Sequence, residues 1–190
     1  MKIVFATNNM NKLSEIKLLF HDKIEVLSLK DINCLEELPE THPTIKENAL
    51  QKARFIFENY GFNCFADDTC LEIDSLGGEP GVFSARYAGI HSNATDNINK
   101  VLAKLVGKQN RLAKFRTVIA LITDGNEMTF EGICDGVITD TVKGNEGFGY
   151  DPIFIPSGHK VTFAEMNKSK KSEISHRGKA VRKLVDFLIK

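Results

Sequence analysis

The chain has 190 residues, with 25 Lys and Arg balanced by 25 Asp and Glu, so its formal net charge is zero. That balance excludes a general nucleic-acid coat and a polybasic membrane binder, both of which need a large excess of positive charge. With 42% hydrophobic and 26% charged residues, the composition is that of a folded globular protein, and the length suits one domain over residues 1–190.

Met1 and Lys2 run straight into Ile3, Val4, Phe5 and Ala6, which reads as a first strand over Lys2–Ala6 rather than a secretory leader. Apolar runs such as 117–123 are far shorter than the roughly 18 residues that span a bilayer, so no membrane contact and a cytoplasmic location are expected. Thr7, Asn8 and Asn9 then open a helix whose apolar positions are Leu13, Ile16, Leu19 and Phe20. A strand over 24–29 returns where a βαβ crossover would place it. The next helix spans Thr44–Tyr60, buries Ala49, Ala53, Ile56 and Phe57, and stops at Gly61.

Short strands over 62–66 and 71–73 are expected to flank Asp67, Asp68 and Thr69. Gly77, Gly78, Gly81, Gly89 and Pro80 make residues 77–89 a loop. A helix over 93–106 carries Ile98, Val101, Leu102 and Leu105. Runs over 116–123 and 128–133 pair as a hairpin with Gly125-Asn126 at its turn. A second glycine-rich loop, 144–150, precedes a strand over 153–155, and a final helix after Ser175 buries Val181, Leu184, Val185 and Leu188. Helices between early strands and a late hairpin give an α/β fold with a mixed sheet. Cys34, Cys64, Cys70 and Cys134 form no C-x-x-C pair and read as reduced core thiols.

Charge is balanced overall but segregated along the chain. Residues 31–74 hold ten acidic and three basic side chains, whereas residues 156–190 hold nine basic and three acidic ones. A site joining these segments suits a divalent cation on one side and phosphate oxygens on the other, although paired solvated faces would give the same counts. Thr7, Asn8, Asn9, Met10, Asn11 and Lys12 lie between a strand and a helix. Such a helix start offers amides, a hydroxyl and a lysine to a phosphate, and spacing alone leaves a plain helix cap as the other reading. No Walker loop is present, and Pro152 stands at the third glycine position of the dinucleotide fingerprint.

Adjacent carboxylates at 67 and 68 need a cation or hydrogen bonds if buried, and a structural turn is the alternative. Phe148, Gly149, Tyr150 and Asp151 combine stacking faces with a carboxylate, which suits a nucleobase or a packed turn. Lys168, Lys170 and Lys171 read as solvated surface or a phosphate clamp, and Ser175 as a helix cap with His176 and Arg177 projecting from the first turn.

Taken together, TNN-x-NK at 7–12, Pro39-Glu40-Thr41, ENALQKA at 47–53, ADDTCLEIDSLGGEPGVFSARYAG at 66–89, GFGYDPIF at 147–154 and KSEISHRGKA at 171–180 closely resemble the inosine triphosphate pyrophosphatase family. The resemblance runs in order from the first strand to the last helix. It implies a long twisted mixed β-sheet flanked by helices, in two lobes with the active-site cleft between them. It also implies a homodimer, Mg²⁺ as cofactor, and hydrolysis of dITP, ITP and XTP, non-canonical purine nucleoside triphosphates, to monophosphate and pyrophosphate.

By position, Thr7 to Lys12 resemble the triphosphate loop and Glu40 and Asp68 the metal ligands, with Asp68 also the proton acceptor. Thr69, Phe148, Gly149, Tyr150, Asp151, Lys171, His176 and Arg177 align with substrate-binding positions, and Arg86 is a weaker phosphate candidate. The expected mechanism has Asp68 activating water toward the α-phosphorus while Lys12 and Lys171 steady the pyrophosphate. His176 and Arg177 would donate to the 6-oxo group of the base. Asn8 stands where many relatives have Gly, which would matter if the position needed a positive φ. A nucleotide- or RNA-binding module without catalysis, and a pyrophosphatase for other modified nucleotides, are the alternatives.

Overall fold

The protein is described from a computed structural model that covers residues 1–20, 24–91 and 93–189. The strands are β1 (Lys2–Phe5), β2 (Glu25–Leu27), β3 (Cys64–Ile73), β4 (Pro80–Gly81), β5 (Leu112–Thr123), β6 (Asn126–Ile138) and β7 (Phe154–Pro156). The helices are α1 (Met10–Lys17), α2 (Ile45–Tyr60), α3 (Ala94–Lys104), α4 (Lys168–Ile174) and α5 (His176–Leu188). The sheet runs β2-β1-β3-β5-β6-β7, with β4 paired to β3. It is mixed: β1 is parallel to β2 and β3, whereas β3/β4 and β6/β7 are antiparallel. Among the described residues no helix is long and apolar enough to cross a membrane.

The chain divides into two compact units, one of Met1–Asp68, Thr117–Gly132 and Arg177–Lys190, the other of Thr69–Arg116 and Ile133–His176. In the first unit the strands are apolar on both faces because helices cover both, and side chains alternate between two cores. Ile3 and Phe5, Phe65, Ile119 and Leu121 join Leu13 and Ile16 of α1 and Val181 and Leu184 of α5. Their neighbours Val4, Ala6, Cys64, Ala66, Ala120 and Ile122 face Ala49, Ala53 and Ile56 of α2. Alanines on both sides of this second core let α2 lie close to the sheet. The first core is filled by aromatics instead, with Phe5 stacked on Phe65 at 4.7 Å between ring centroids. Each large side chain buried in this way contributes about 1.5–3 kcal/mol.

The second unit has its own core, in which Leu71, Ile73, Ile98, Val101, Leu105 and Ile138 surround a group of rings. Phe115 contacts Phe154 edge-on at 4.7 Å, and Phe163 lies 5.2 Å from Phe154.

Several boundaries differ from the sequence expectation. Strand β3 runs unbroken through Asp67, Asp68 and Thr69, because each carboxylate finds donors within its own unit and the pair need not form a turn. Helix α1 ends at Lys17, and Leu19 and Phe20 pack on the core from beyond it. The hairpin turn is Asp124-Gly125, one residue earlier than expected. Both residues have positive φ, 49° and 79°, as a two-residue turn of this hand requires. Strand β6 continues to Ile138 by strict alternation of buried and exposed residues. Gly136 permits this because a Cβ there would strike the Phe154 ring and the Ile155 carbonyl of β7. Helix α4 was not foreseen; Asn167 caps it by accepting from the Lys170 N–H at 2.8 Å, and it ends at Ser175, just before α5. All four cysteines are buried thiols, as expected.

Candidate active site

The loop between β1 and α1 is built as a helix cap. Asn9 accepts from the backbone N–H groups of Asn11 and Lys12 at 3.0 and 3.2 Å, and Thr7 Oγ1 accepts from the Asn9 N–H at 3.1 Å. Met10 and Asn11 are exposed on the first turn. Among the described residues only Asn33 and Asp124 are non-glycines with positive φ, so Asn8 does not take a left-handed conformation. Its side chain instead reaches the segment that carries Glu40, accepting from the Leu38 N–H at 3.3 Å and donating to the Glu36 carbonyl at 3.2 Å.

Alternation along β3 sends its two aspartates to opposite faces. Asp67 lies on the α1/α5 face with Phe65, fully buried. Lys12 Nζ donates to its Oδ1 at 3.0 Å and Arg177 Nε to its Oδ2 at 3.2 Å, while Arg177 also holds Glu15 at 2.7 Å. Burial alone would raise the Asp67 carboxyl, but Lys12, Arg177 and Lys52 outweigh it and hold the group well below the usual carboxylate range. For Lys12 the balance goes the other way. Burial lowers its ammonium, Lys52 and Arg177 lower it further, and Asp67 and Asp68 restore only part.

Asp68 lies on the α2 face. Asn48 and Lys52, one helical turn apart, meet it there: Asn48 Nδ2 donates to Asp68 Oδ2 at 3.2 Å, and Lys52 Nζ stands 3.9 Å from Oδ1. Lys52 also forms a direct ion pair with Glu40. Burial works against the charge on Lys52, yet Asp68, Glu40 and Asp67 more than compensate and raise its basicity. Asn48 accepts from the His42 N–H at 2.9 Å, so a single buried carboxamide ties the Glu40 segment to Asp68.

The first unit therefore collects Lys12, Glu40, Asp67, Asp68 and Arg177, all named from the sequence, together with Glu15, Asn48 and Lys52, which it did not single out. The signal for Asn48 and Lys52 was present in ENALQKA, where their spacing puts them on the helix face shared with Ala49 and Ala53. The network holds four carboxylates and three cations, so it is nearly neutral without any ligand. Glu40 and Asp68 aim hard oxygen donors at one cationic point, which the Lys52 ammonium takes. That donor chemistry fits Mg²⁺, which takes one or two carboxylates and fills the rest of its shell with water and phosphate oxygens. Among the described residues no three His, Cys, Asp or Glu side chains come together to enclose a metal without such help.

The second unit holds a different group. Asp151 Oδ2 accepts from Lys171 Nζ at 2.6 Å and from the Phe148 N–H at 2.8 Å, with both charged side chains buried. The Lys171 ammonium lies 4.8 Å from the centre of the Phe148 ring. Gly147, at φ 76°, is needed here because a Cβ would overlap the Asp151 carboxylate. Tyr150 is buried and donates to the Ser84 carbonyl at 2.8 Å, which makes it part of the frame. His176 is stacked on Phe115 at 4.5 Å, inside the aromatic core. Thr69 follows Asp68 on β3, Gly149 sits at φ 60° in the turn between Phe148 and Tyr150, and the Arg86 guanidinium lies 5.5 Å from the Phe83 ring.

Consecutive residues His176 and Arg177 thus enter different cores: one joins phenylalanines and the other joins carboxylates. Lys171→Met is expected to cost about 3 kcal/mol by leaving a buried carboxylate without its cation. Lys171→Met with Asp151→Asn should recover more than half of that. Urea unfolding of the two variants measures both values.

The first unit is an α/β frame whose capped strand-to-helix loop and acid-rich strand centre offer groups for phosphate oxygens and a divalent cation. Residues 3–187 match the Ham1 family, and the chain belongs to that family. It is 54% identical over 190 residues to the dITP/XTP pyrophosphatase of Christiangramia forsetii, covering 100% of both chains. It is 53% identical over 188 residues to the protein of the same name from Flavobacterium johnsoniae, covering 99% of this chain and 98% of that one. The solved structure of a HAM1 protein from Coxiella burnetii superposes with a TM-score of 0.91 at 37% identity, covering 100% of this chain and 98% of that one.

Proposed function

We propose that this protein is a pyrophosphohydrolase for non-canonical purine nucleoside triphosphates, converting dITP, ITP and XTP to the monophosphate and pyrophosphate. The carrying observation is the first unit's charge network, in which Asp68 and Glu40 share one cation beside the Lys12-bearing loop. An anion-binding module without catalysis gains nothing from such carboxylates, which disfavours the RNA-binding alternative. Identity above 50% to proteins named dITP/XTP pyrophosphatases supports the same reading.

Glu40 and Asp68 are the residues that would hold Mg²⁺, which when bound neutralises phosphate charge and lowers the pKa of water. The chain's own contribution is positioning and electrostatics. Asp68, oriented by the Asn48 carboxamide, is the acceptor for the proton of the attacking water. Lys12 and Lys52 supply positive charge for phosphate oxygens. Asp67 holds Lys12 and Arg177 in place and, kept ionised by them, is poorly suited to take up a proton.

We assign Lys171 with Phe148 to the base rather than to the pyrophosphate, because its ammonium lies beside an aromatic face. A 6-oxo purine accepts from such a donor, whereas the 6-amino group of adenine opposes it, at a cost of about 1–3 kcal/mol per unpaired donor.

Incubating ITP, dITP, XTP, ATP, GTP and dUTP with Mg²⁺ in isotopically labelled water tests the proposal. The expected result is monophosphate plus pyrophosphate from ITP, dITP and XTP, with kcat/KM about 10²-fold above that for ATP. Label should enter the monophosphate, and label in pyrophosphate instead would exclude attack at the α-phosphorus.

A further inference from the structure

Between Cys34 and Thr44 the chain belongs to no helix or strand, yet it carries Glu40. Side chains from elsewhere hold it. Asn48 accepts from the His42 N–H at 2.9 Å and Gln51 Oε1 from the Thr41 N–H at 3.0 Å, so α2 fixes the end beyond Glu40. The end before Glu40 is held from two directions, with Tyr60 of α2 donating to the Glu36 side chain at 3.1 Å and the β1–α1 loop holding the backbone. Asn8 accepts from the Leu38 N–H and donates to the Glu36 carbonyl, the paired pattern that a neighbouring strand would provide. Asn8 is exposed and its backbone needs no special conformation, so its use at this position lies in the carboxamide. A glycine could make neither bond.

We infer that Asn8 is a positioning residue: its side chain clamps the Glu40-bearing segment to the Thr7–Lys12 loop and thereby sets the cation affinity of the site. The inference rests on the proposed metal role of Glu40 and Asp68. It differs from a direct contact between the Asn8 side chain and the triphosphate, which is what position in the motif alone would suggest. A segment anchored at both ends keeps Glu40 near Asp68 before any ligand arrives. Without the two Asn8 bonds the backbone at 36–38 is held only through the Glu36 side chain, so more of the segment must be ordered at the moment of binding, and the ordering cost appears as weaker binding of the cation.

The test compares wild type with Asn8→Ala, which removes both bonds without adding glycine flexibility, and Asn8→Asp, which keeps the acceptor for the Leu38 N–H and loses the donor to Glu36. Hydrogen exchange of the Leu38 amide reads the clamp directly and needs no activity. Asn8→Ala should speed it about 5- to 10-fold, and Asn8→Asp by less. Binding of Mn²⁺ alone, followed by its paramagnetic resonance, should weaken about 3- to 10-fold in Asn8→Ala. The Mg²⁺ concentration for half-maximal ITP hydrolysis should rise in parallel. Unchanged Leu38 exchange, or faster exchange with unchanged Mn²⁺ binding, would overturn the inference. So would a higher KM for ITP at saturating Mg²⁺ with cation binding unaltered, which would mark a direct substrate contact. Failure of wild type to release pyrophosphate from any triphosphate would instead remove the underlying functional reading, and the exchange data would still report whether the clamp exists.

Discussion

Asp68→Asn is expected to lower kcat for ITP about 10³-fold while leaving unfolding stability within about 1 kcal/mol of wild type. The substitution keeps the shape of the side chain and removes both its charge and its ability to take a proton. Asn48 currently donates to Asp68 Oδ2, and an amide oxygen at that place still accepts the bond. Lys52 retains Glu40 as its ion-pair partner, so no cation is left buried alone.

Asp67→Asn should behave in the opposite way. Asp67 is fully buried with Lys12 and Arg177 on its two oxygens, so neutralising it removes the ion-pair partner of Lys12, leaves Arg177 to Glu15, and costs about 3 kcal/mol of stability. Its effect on kcat is expected to be smaller than that of Asp68→Asn. Steady-state kinetics and urea unfolding of the two variants give a crossed pattern if the faces of β3 divide the labour in this way. Equal loss of kcat in both would show that the two carboxylates act as one unit.

The sequence revealed this division only in part. That adjacent strand residues point to opposite faces follows from the backbone, and the acidic pair was visible as chemistry. Which aspartate faces which helix depends on register, because β1 and β3 pair as Val4 with Cys64 and Phe5 with Phe65. That register is set by long-range packing of Phe65 on Phe5 and of Ala66 beneath α2, which no local pattern records. Local rules located α2 well, since Thr44 and Gly61 are both caps with clear sequence preferences. They failed at β3, where two adjacent carboxylates look like a turn until the cations brought by α1, α2 and α5 are known. Asn48 and Lys52 were hidden for a related reason. A polar residue on a buried helix face signals something to satisfy, but not what satisfies it.

Arg177→Met is expected to remove about 5 kcal/mol of stability at neutral pH, the largest loss among the substitutions considered. Arg177 is buried and forks between Asp67 at 3.2 Å and Glu15 at 2.7 Å, so methionine leaves two carboxylates with reduced compensation. Arg177→Lys preserves the charge but lacks the planar fork, and a loss of about 2 kcal/mol is expected. The pH dependence tests this charge pairing. Asp67 is held well below its ordinary value of 3.8, so its stabilising contribution is complete above that value and is lost as pH falls from there toward its own depressed value. The gap between wild type and Arg177→Met should therefore be widest near pH 7 and narrow at about pH 3. Urea unfolding at the two pH values measures it. The same variants decide whether Arg177 also reads the base. If it donates to a 6-oxo group, Arg177→Lys should lower the ITP-to-ATP ratio of kcat/KM about tenfold or more. If it serves the Asp67–Glu15 network, stability should fall with that ratio unchanged, and selectivity would then rest with Lys171 and Phe148.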